Sequence, residues 1–226
     1  MSELKLVILD VDGTLVDSQD VILAAMRQAF DAEGREMPSR SEALGIVGLS
    51  LPEAMAVLAP GAGPAGQMAL VESYKAAFLD LRARAGGEAR APLYPGARDA
   101  METLDRSGYL MSIATGKARR GLTHFLDTHG LGQFFTGTQT ADDAPSKPNP
   151  GMIHNCLAAT GAEAAHAVMI GDTEFDMAMG RAAGCRTIGV SWGYHPRHRL
   201  VDGGAERIVD SFADLPGAVS EILAAP

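Results

Sequence analysis

Four short apolar runs in this chain end in a similar way, and that recurrence limits the fold more than any other feature. Leu6-Val7-Ile8-Leu9 leads into Asp10-Val11-Asp12-Gly13, and Tyr109–Ala114 leads into Thr115-Gly116. Ala167–Ile170 leads into Gly171-Asp172, and Thr187–Val190 into Ser191-Trp192-Gly193. Short uninterrupted apolar runs suit strands that are covered on both faces, as in a parallel sheet. The intervening stretches have helical spacing. Ala100, Met101 and Leu104 are closed by Gly108, and Leu122, Phe125 and Leu126 by Gly130; a further stretch from Phe175 to Ala183 stops at Gly184. Strand and helix alternation implies right-handed crossovers and an α/β, Rossmann-like, doubly wound parallel sheet, with ligands at the carboxyl ends of its strands.

Residues 17–90 break the rhythm. Val21, Ile22, Ala25, Met26, Ala29 and Phe30 form one helical apolar face, and Leu70, Val71, Tyr74, Ala77, Phe78 and Leu81 another, with no strand between them. The stretch predicts an inserted α-helical cap. Pro60–Gly66 and Gly86-Gly87 punctuate it as turns, and the chain returns to the core near Pro92–Gly96. The expected organisation is a discontinuous catalytic core, 1–16 with 91–226, and a cap, 17–90.

A chain of 226 residues with 46% hydrophobic and 21% charged residues is built to bury a core. Its formal charge of −9 argues against nucleic acid or an anionic membrane as partner. Asp10 and Asp12 interrupt the N-terminal apolar stretch too early for a signal peptide, and no run approaches a membrane span. Cys156 and Cys185 lack metal-ligand spacing and read as free thiols. The expectation is a cytoplasmic protein, monomer or homodimer.

The strand ends carry the chemistry. Asp10 and Asp12, one residue apart, can present two carboxylates to one site; Gly13 allows close backbone approach to a ligand, and Thr14 offers a hydroxyl. A solvated Asp-x-Asp-Gly turn is the alternative for this segment alone. Thr115 with Gly116, or a plain helix N-cap, lies beyond the second run. Lys147, in Ser-Lys-Pro-Asn-Pro, is a cation in a stiff loop ahead of a helix begun by Pro150. Asp172 and Asp176 follow the third run, where helix-start acids are the alternative. A fold that converges all these positions brings four carboxylates to one edge, a repulsive arrangement that a divalent cation with hard oxygen ligands, Mg²⁺, relieves.

Asp10-Val-Asp-Gly-Thr-Leu-Val-Asp-Ser18, Ala114-Thr-Gly-Lys117, Lys147-Pro-Asn-Pro150 and Gly171-Asp-Thr-Glu-Phe-Asp176 resemble, in order and spacing, the haloacid dehalogenase-like hydrolase superfamily, in its phosphoglycolate-phosphatase-like branch with a helical cap. The resemblance implies hydrolysis of a small-molecule phosphate ester. Asp10 would be the nucleophile and a Mg²⁺ ligand, joined by the backbone carbonyl of Asp12 and the side chain of Asp172. Asp176 would lie behind these or bind through water. Thr115 and Lys147 would hold the phosphoryl group, and Asp12 would serve as general acid and then base. Gly13, Thr14 and Gly116 are expected against the phosphoryl group.

Two readings compete. A sugar-phosphate mutase of the same superfamily would need a basic residue beside the cap turn, and Gly48-Leu49-Ser50-Leu51 has none. A non-turnover phosphoacceptor signalling domain would need neither Asp12 nor a cap. Lys75, the lone cap lysine, falls too late to suggest a Schiff-base member. Thr115 is followed by Gly116 and Lys117 instead of the commoner Asn, so Lys117 either adds charge to the site or faces solvent. Trp192–His195 either lines the pocket or packs, the histidines read as surface or satisfied groups, the methionines as core, and Arg119 and Arg120 as a solvated helix face.

Overall fold

The computed structural model describes residues 4–84 and 91–224. Its strands are β1 (Leu6–Leu9), β2 (Leu110–Ala114), β3 (Gly137–Gln139), β4 (Ala167–Gly171), β5 (Arg186–Val190) and β6 (Arg207–Val209). They form one parallel sheet in the order β3-β2-β1-β4-β5-β6. The helices are α1 (Gln19–Ala32), α2 (Arg40–Leu44), α3 (Leu51–Leu58), α4 (Gly63–Arg84), α5 (Ala97–Arg106), α6 (Arg119–His129), α7 (Gly151–Thr160), α8 (Glu174–Ala182), α9 (Arg197–Gly203) and α10 (Leu215–Ile222).

Alternate side chains of each strand enter opposite layers. Val7, Leu9, Met111, Ile113, Val168 and Ile170 pack with α5, α6 and α10, whereas Leu6, Ile8, Ala167 and Met169 pack with α7 and α8. Both faces are covered, which is why the runs carry no polar alternation. The chain leaves β1 toward β2 and β3, then resumes on the other side of β1 at β4. The strand order therefore reverses beside β1, where a doubly wound sheet opens its ligand crevice. Leu9 pairs with both Ile113 and Ile170, so Asp10, Thr115 and Asp172 emerge at one edge.

The helical insert has its own core of Ile22, Met26, Phe30, Ala43, Met55, Leu70 and Val71, and α1 packs along α4. Its two connections run side by side: Asp17 N–H donates to Pro92 O at 2.9 Å, and Val16 bridges Leu93. The expected cap end, 85–90 with Gly86-Gly87, lies outside the described residues, as do 1–3 and 225–226. One expectation needs correction. Within Pro60–Gly66 the turn ends at Ala62 and α4 already begins at Gly63; Pro64 then lies in the first turn, where a missing N–H costs no helix bond. Similarly, α7 starts at Gly151, with Pro150 just before it.

Candidate active site

Asp10, Asp172 and Asp176 are buried, and one carboxylate oxygen from each lies within 4.8 Å of the others. Asp10 follows β1 directly, and its N–H donates to Ile170 O at 3.0 Å, which fixes it against β4. Asp172 follows β4 directly. Its Oδ1 accepts from Thr14 Oγ1 at 3.0 Å and its Oδ2 from Tyr194 N at 2.8 Å. Asp176 sits in the first turn of α8 as half of a capping box: Thr173 N and Oγ1 donate to its Oδ2 at 3.0 and 2.7 Å.

Lys147 reaches this cluster from the loop before α7 and is buried. Its Nζ donates to Asp176 Oδ1 at 2.6 Å and lies 3.0 Å from Asp10 Oδ1. Burial opposes its charge, but Asp10 and Asp176 outweigh that penalty and hold the ammonium above its ordinary pKa. One ammonium faces three carboxylates. Burial is the main reason that Asp10 is pushed up to about 6, with Lys147 opposing and Asp176 and Asp12 adding to the rise. Asp172 is raised for the same reason, first by burial and then by Asp176 and Asp10.

Apart from the ion pair of Oδ1 with Lys147, neither buried carboxylate oxygen of Asp10 has a hydrogen-bond partner. An anion enclosed in this way is costly unless a cation completes it. Clustered hard oxygen donors with spare lone pairs fit a divalent metal ion such as Mg²⁺. The Asp12 side chain is not in the cluster. It turns away, accepting from Ser18 Oγ at 2.5 Å and from Lys117 Nζ at 2.6 and 2.7 Å. Of the two orientations left open for Lys117, the structure has the one toward the site.

Gly13 has φ +80°, and a Cβ there would meet Asp172 Oδ2 at 2.2 Å, so the turn after β1 excludes any side chain. The Thr14 hydroxyl donates to Asp172, where it orients a carboxylate. The turn N–H groups of Gly13 and Thr14 likewise close on Val16 O and Val11 O, at 2.9 and 3.2 Å. Thr115 is buried, and its Oγ1 accepts from Lys117 N at 3.3 Å. At Gly116 a Cβ would lie 2.6 Å from Gly48 O and 2.8 Å from Leu49 O. The insert's turn occupies the space that a larger residue after Thr115 would need, which accounts for glycine there.

Several supporting residues had no contact assigned from the sequence, which left Trp192–His195 as either lining or packing. Ser18 was inside a quoted motif but had no assigned contact. Tyr194 places its hydroxyl 3.0 Å from Ser18 Oγ, and burial, then Asp12, keep the phenol protonated well above its usual range. Trp192 donates Nε1–H to Thr14 O at 3.1 Å and packs on Phe212, so it braces the site from behind. His195 is a satisfied histidine: Nδ1 accepts from Glu174 N at 3.1 Å and Nε2 lies 3.1 Å from Gly45 O of the insert. Arg119 is ordered, not merely solvated; it binds Thr138 Oγ1 at 2.6 Å, Thr138 O at 3.0 Å and the Asp143 carboxylate. Arg120 is exposed.

Above the carboxylates lies a cavity of about 650 Å³ between core and insert. Asp10, Asp12, Thr115 and Lys117 border it below, and Met26, Val71, Tyr74 and Phe78 above. The insert is seated by Ser50 N–H, which donates to Ser146 Oγ at 2.8 Å beside Lys147.

Comparison with known proteins agrees with this arrangement. The family model described as haloacid dehalogenase-like hydrolase matches residues 7–190. Probable phosphatase IndB of Dickeya dadantii (strain 3937) is 33% identical over 220 residues, spanning 96% of this chain and 94% of that protein. A phosphoglycolate phosphatase (plasmid) of Cupriavidus necator is 30% identical over 228 residues, covering 97% and 95%. Among solved structures, a hydrolase from Pseudomonas syringae matches with a TM-score of 0.84 at 26% identity, covering 96% of this chain and 99% of that one.

Proposed function

Because this chain belongs to the haloacid dehalogenase-like hydrolase family, we propose that it is a Mg²⁺-dependent phosphatase that cleaves a small-molecule phosphomonoester through an aspartyl phosphate on Asp10. The observation that carries the reading is the buried Asp10 carboxylate at the edge of the cavity, whose ion pair with Lys147 leaves Oδ2 without a hydrogen-bond partner. The names of the relatives, phosphatase and phosphoglycolate phosphatase, support the phosphomonoester class.

Asp10, Asp172 and the Asp12 carbonyl would hold the metal ion, with Asp176 behind them. Once bound, Mg²⁺ would offset the negative charge of the carboxylates and the phosphate. Asp10 attacks phosphorus, and the bond from phosphorus to the ester oxygen breaks. Asp12 supplies a proton to that oxygen, and the alcohol leaves. Water then attacks the phosphorylated Asp10, giving its proton to Asp12 and releasing inorganic phosphate. Lys147 sits between Asp10 and Asp176 and balances charge as the phosphoryl group arrives. Thr115 and Gly116 line the phosphoryl position. The inserted helices α1–α4 act as a mobile cap whose closure excludes water during transfer.

The test is hydrolysis of p-nitrophenyl phosphate by purified protein in Mg²⁺. Many equivalents of phosphate per protein are expected, none from Asp10→Asn, and acid-quenched wild type should yield a phosphorylated peptide containing Asp10. A single equivalent would favour a phosphoacceptor domain, and full turnover by Asp10→Asn would remove Asp10 as nucleophile.

A further inference from the structure

The cavity is two-sided in its chemistry. Its floor is polar, but the wall supplied by the cap is apolar: Ile22, Met26, Met55, Val71, Tyr74 and Phe78 all border it. Tyr74 and Phe78 form a stacked pair with ring centroids 5.9 Å apart, and both are only half-buried, so ring surface remains open beside the floor. The cap residues Glu53 and Lys75 and the core residues Arg120 and Asp142 also border the cavity, but all four are exposed; Arg82 of the cap borders it too, half-buried, with its guanidinium 5.9 Å from the centre of the Phe78 ring. Arg82 aside, the ionic side chains that the cap supplies to the cavity lie on its open side.

A two-carbon hydroxy acid as leaving group fits this poorly. Its carboxylate would require a free cation close to the phosphoryl position. Lys117 is the cation nearest Asp12, and its ammonium already meets both oxygens of that carboxylate. Lys75 pairs with Glu72 at 2.8 Å, and Arg82 stands over the Phe78 ring on the cap side. The volume of about 650 Å³ falls within the roughly 300–1,000 Å³ that encloses ligands of drug size. A much smaller group would leave apolar wall facing water, at a cost proportional to its area.

Resting on the phosphatase reading above, we infer that the substrate of this enzyme is a phosphomonoester whose leaving alcohol carries a flat, largely apolar body that packs on Tyr74 and Phe78. The phosphate enters toward Asp10, and the ring fills the cap side. Tyr74 and Phe78 are specificity residues in this arrangement, and neither takes part in proton or phosphoryl transfer.

The experiment compares kcat/KM for ethyl phosphate, 2-phosphoglycolate and 2-phenylethyl phosphate in saturating Mg²⁺, with p-nitrophenyl phosphate as a check on hydrolysis itself. The phenylethyl ester should exceed the other two by about tenfold or more, the discrimination that an apolar pocket gives. Phe78→Ser, shown to be folded by circular dichroism, should narrow that ratio at least about threefold. Turnover of p-nitrophenyl phosphate with no preference for the phenylethyl ester, or with phosphoglycolate preferred, overturns the inference and leaves the phosphatase reading standing. An unchanged ratio in Phe78→Ser overturns it as well. Failure on every ester, p-nitrophenyl phosphate included, removes the phosphatase reading and this inference with it.

Discussion

Replacing Asp10 by asparagine should make the metal-free protein more stable while abolishing its turnover. The carboxyl moves from 3.8 to about 6 on folding, and at about 1.4 kcal/mol per unit that is roughly 3 kcal/mol of penalty for an ionised group at pH 7.5. Asparagine keeps the shape and removes the charge, and Lys147 retains Asp176 at 2.6 Å as its partner. At roughly 2–4 °C per kcal/mol for a chain of this size, the melting temperature in EDTA should rise by up to about 6–12 °C. The sign can be checked with pH. A raised acid pKa means that the folded state holds the proton more tightly, so the contribution favours folding below the unfolded value and is lost as pH climbs through about 6. The advantage of Asp10→Asn should therefore shrink to about half at pH 5. Saturating Mg²⁺ should erase it, since a ligand at a hundred times its Kd stabilises wild type by about 2.7 kcal/mol. Differential scanning calorimetry in EDTA at pH 7.5 and 5 decides the matter. An equal or lower melting temperature for the variant at pH 7.5 would refute the argument that Lys147 compensates this carboxylate only in part without metal.

Mg²⁺ affinity should fall as pH drops below about 6, because Asp10 then binds a proton in competition with the ion; calorimetric titrations at pH 7.5 and 5 giving equal affinity would contradict it. Gly13→Ala should destabilise by on the order of 1–3 kcal/mol and cut activity steeply, since φ is +80° and the added methyl meets Asp172; wild-type unfolding curves would show the turn to be more permissive. Lys117→Met should lower kcat by on the order of tenfold or more on alkyl phosphates, because Asp12 loses its fixed orientation, but less on p-nitrophenyl phosphate, whose leaving group needs little proton donation. Equal losses on the two esters in single-turnover measurements would separate Lys117 from the acid's role.

The sheet was readable because burial on both faces leaves few polar residues in its central strands, Ser112 and Thr187 among them. β1, β2, β4 and β5 appear as apolar runs, and the helices between them end at Gly108, Gly130 and Gly184, all with positive φ. β3 and β6 escaped for the converse reason. They are three residues each, at the sheet edges, and Gly137-Thr138-Gln139 is only half-buried, so no apolar run is required. The start of α4 was obscured because Gly63-Pro64 has turn composition, while the helix gains its stability downstream where Leu70, Val71 and Leu81 are buried.

Within the site, legibility follows distance along the chain. Asp10, Thr115 and Asp172 each follow an apolar run, so strand order alone brings them together, and Lys147 joins them from the stiff loop before α7. The surroundings of Asp12 have no such signal. Ser18 reaches it from the entrance to the insert and Lys117 from the turn after β2, while Tyr194, following β5, holds Ser18. Three segments that no periodicity connects fix one carboxylate. The insert takes part as well, since the Lys117 ammonium lies 6.0 Å from the Phe78 ring and the Gly48 carbonyl is pressed toward Gly116. A residue such as Lys117 cannot be assigned from its own spacing, because whether it meets Asp12 or water depends on α4 lying above it. The same dependence gives glycine at 116 its reason: the carbonyls of the insert's turn approach β2's end more closely than any side chain there would allow, so that position is set by packing between the two parts of the chain and not by the phosphoryl chemistry beside it.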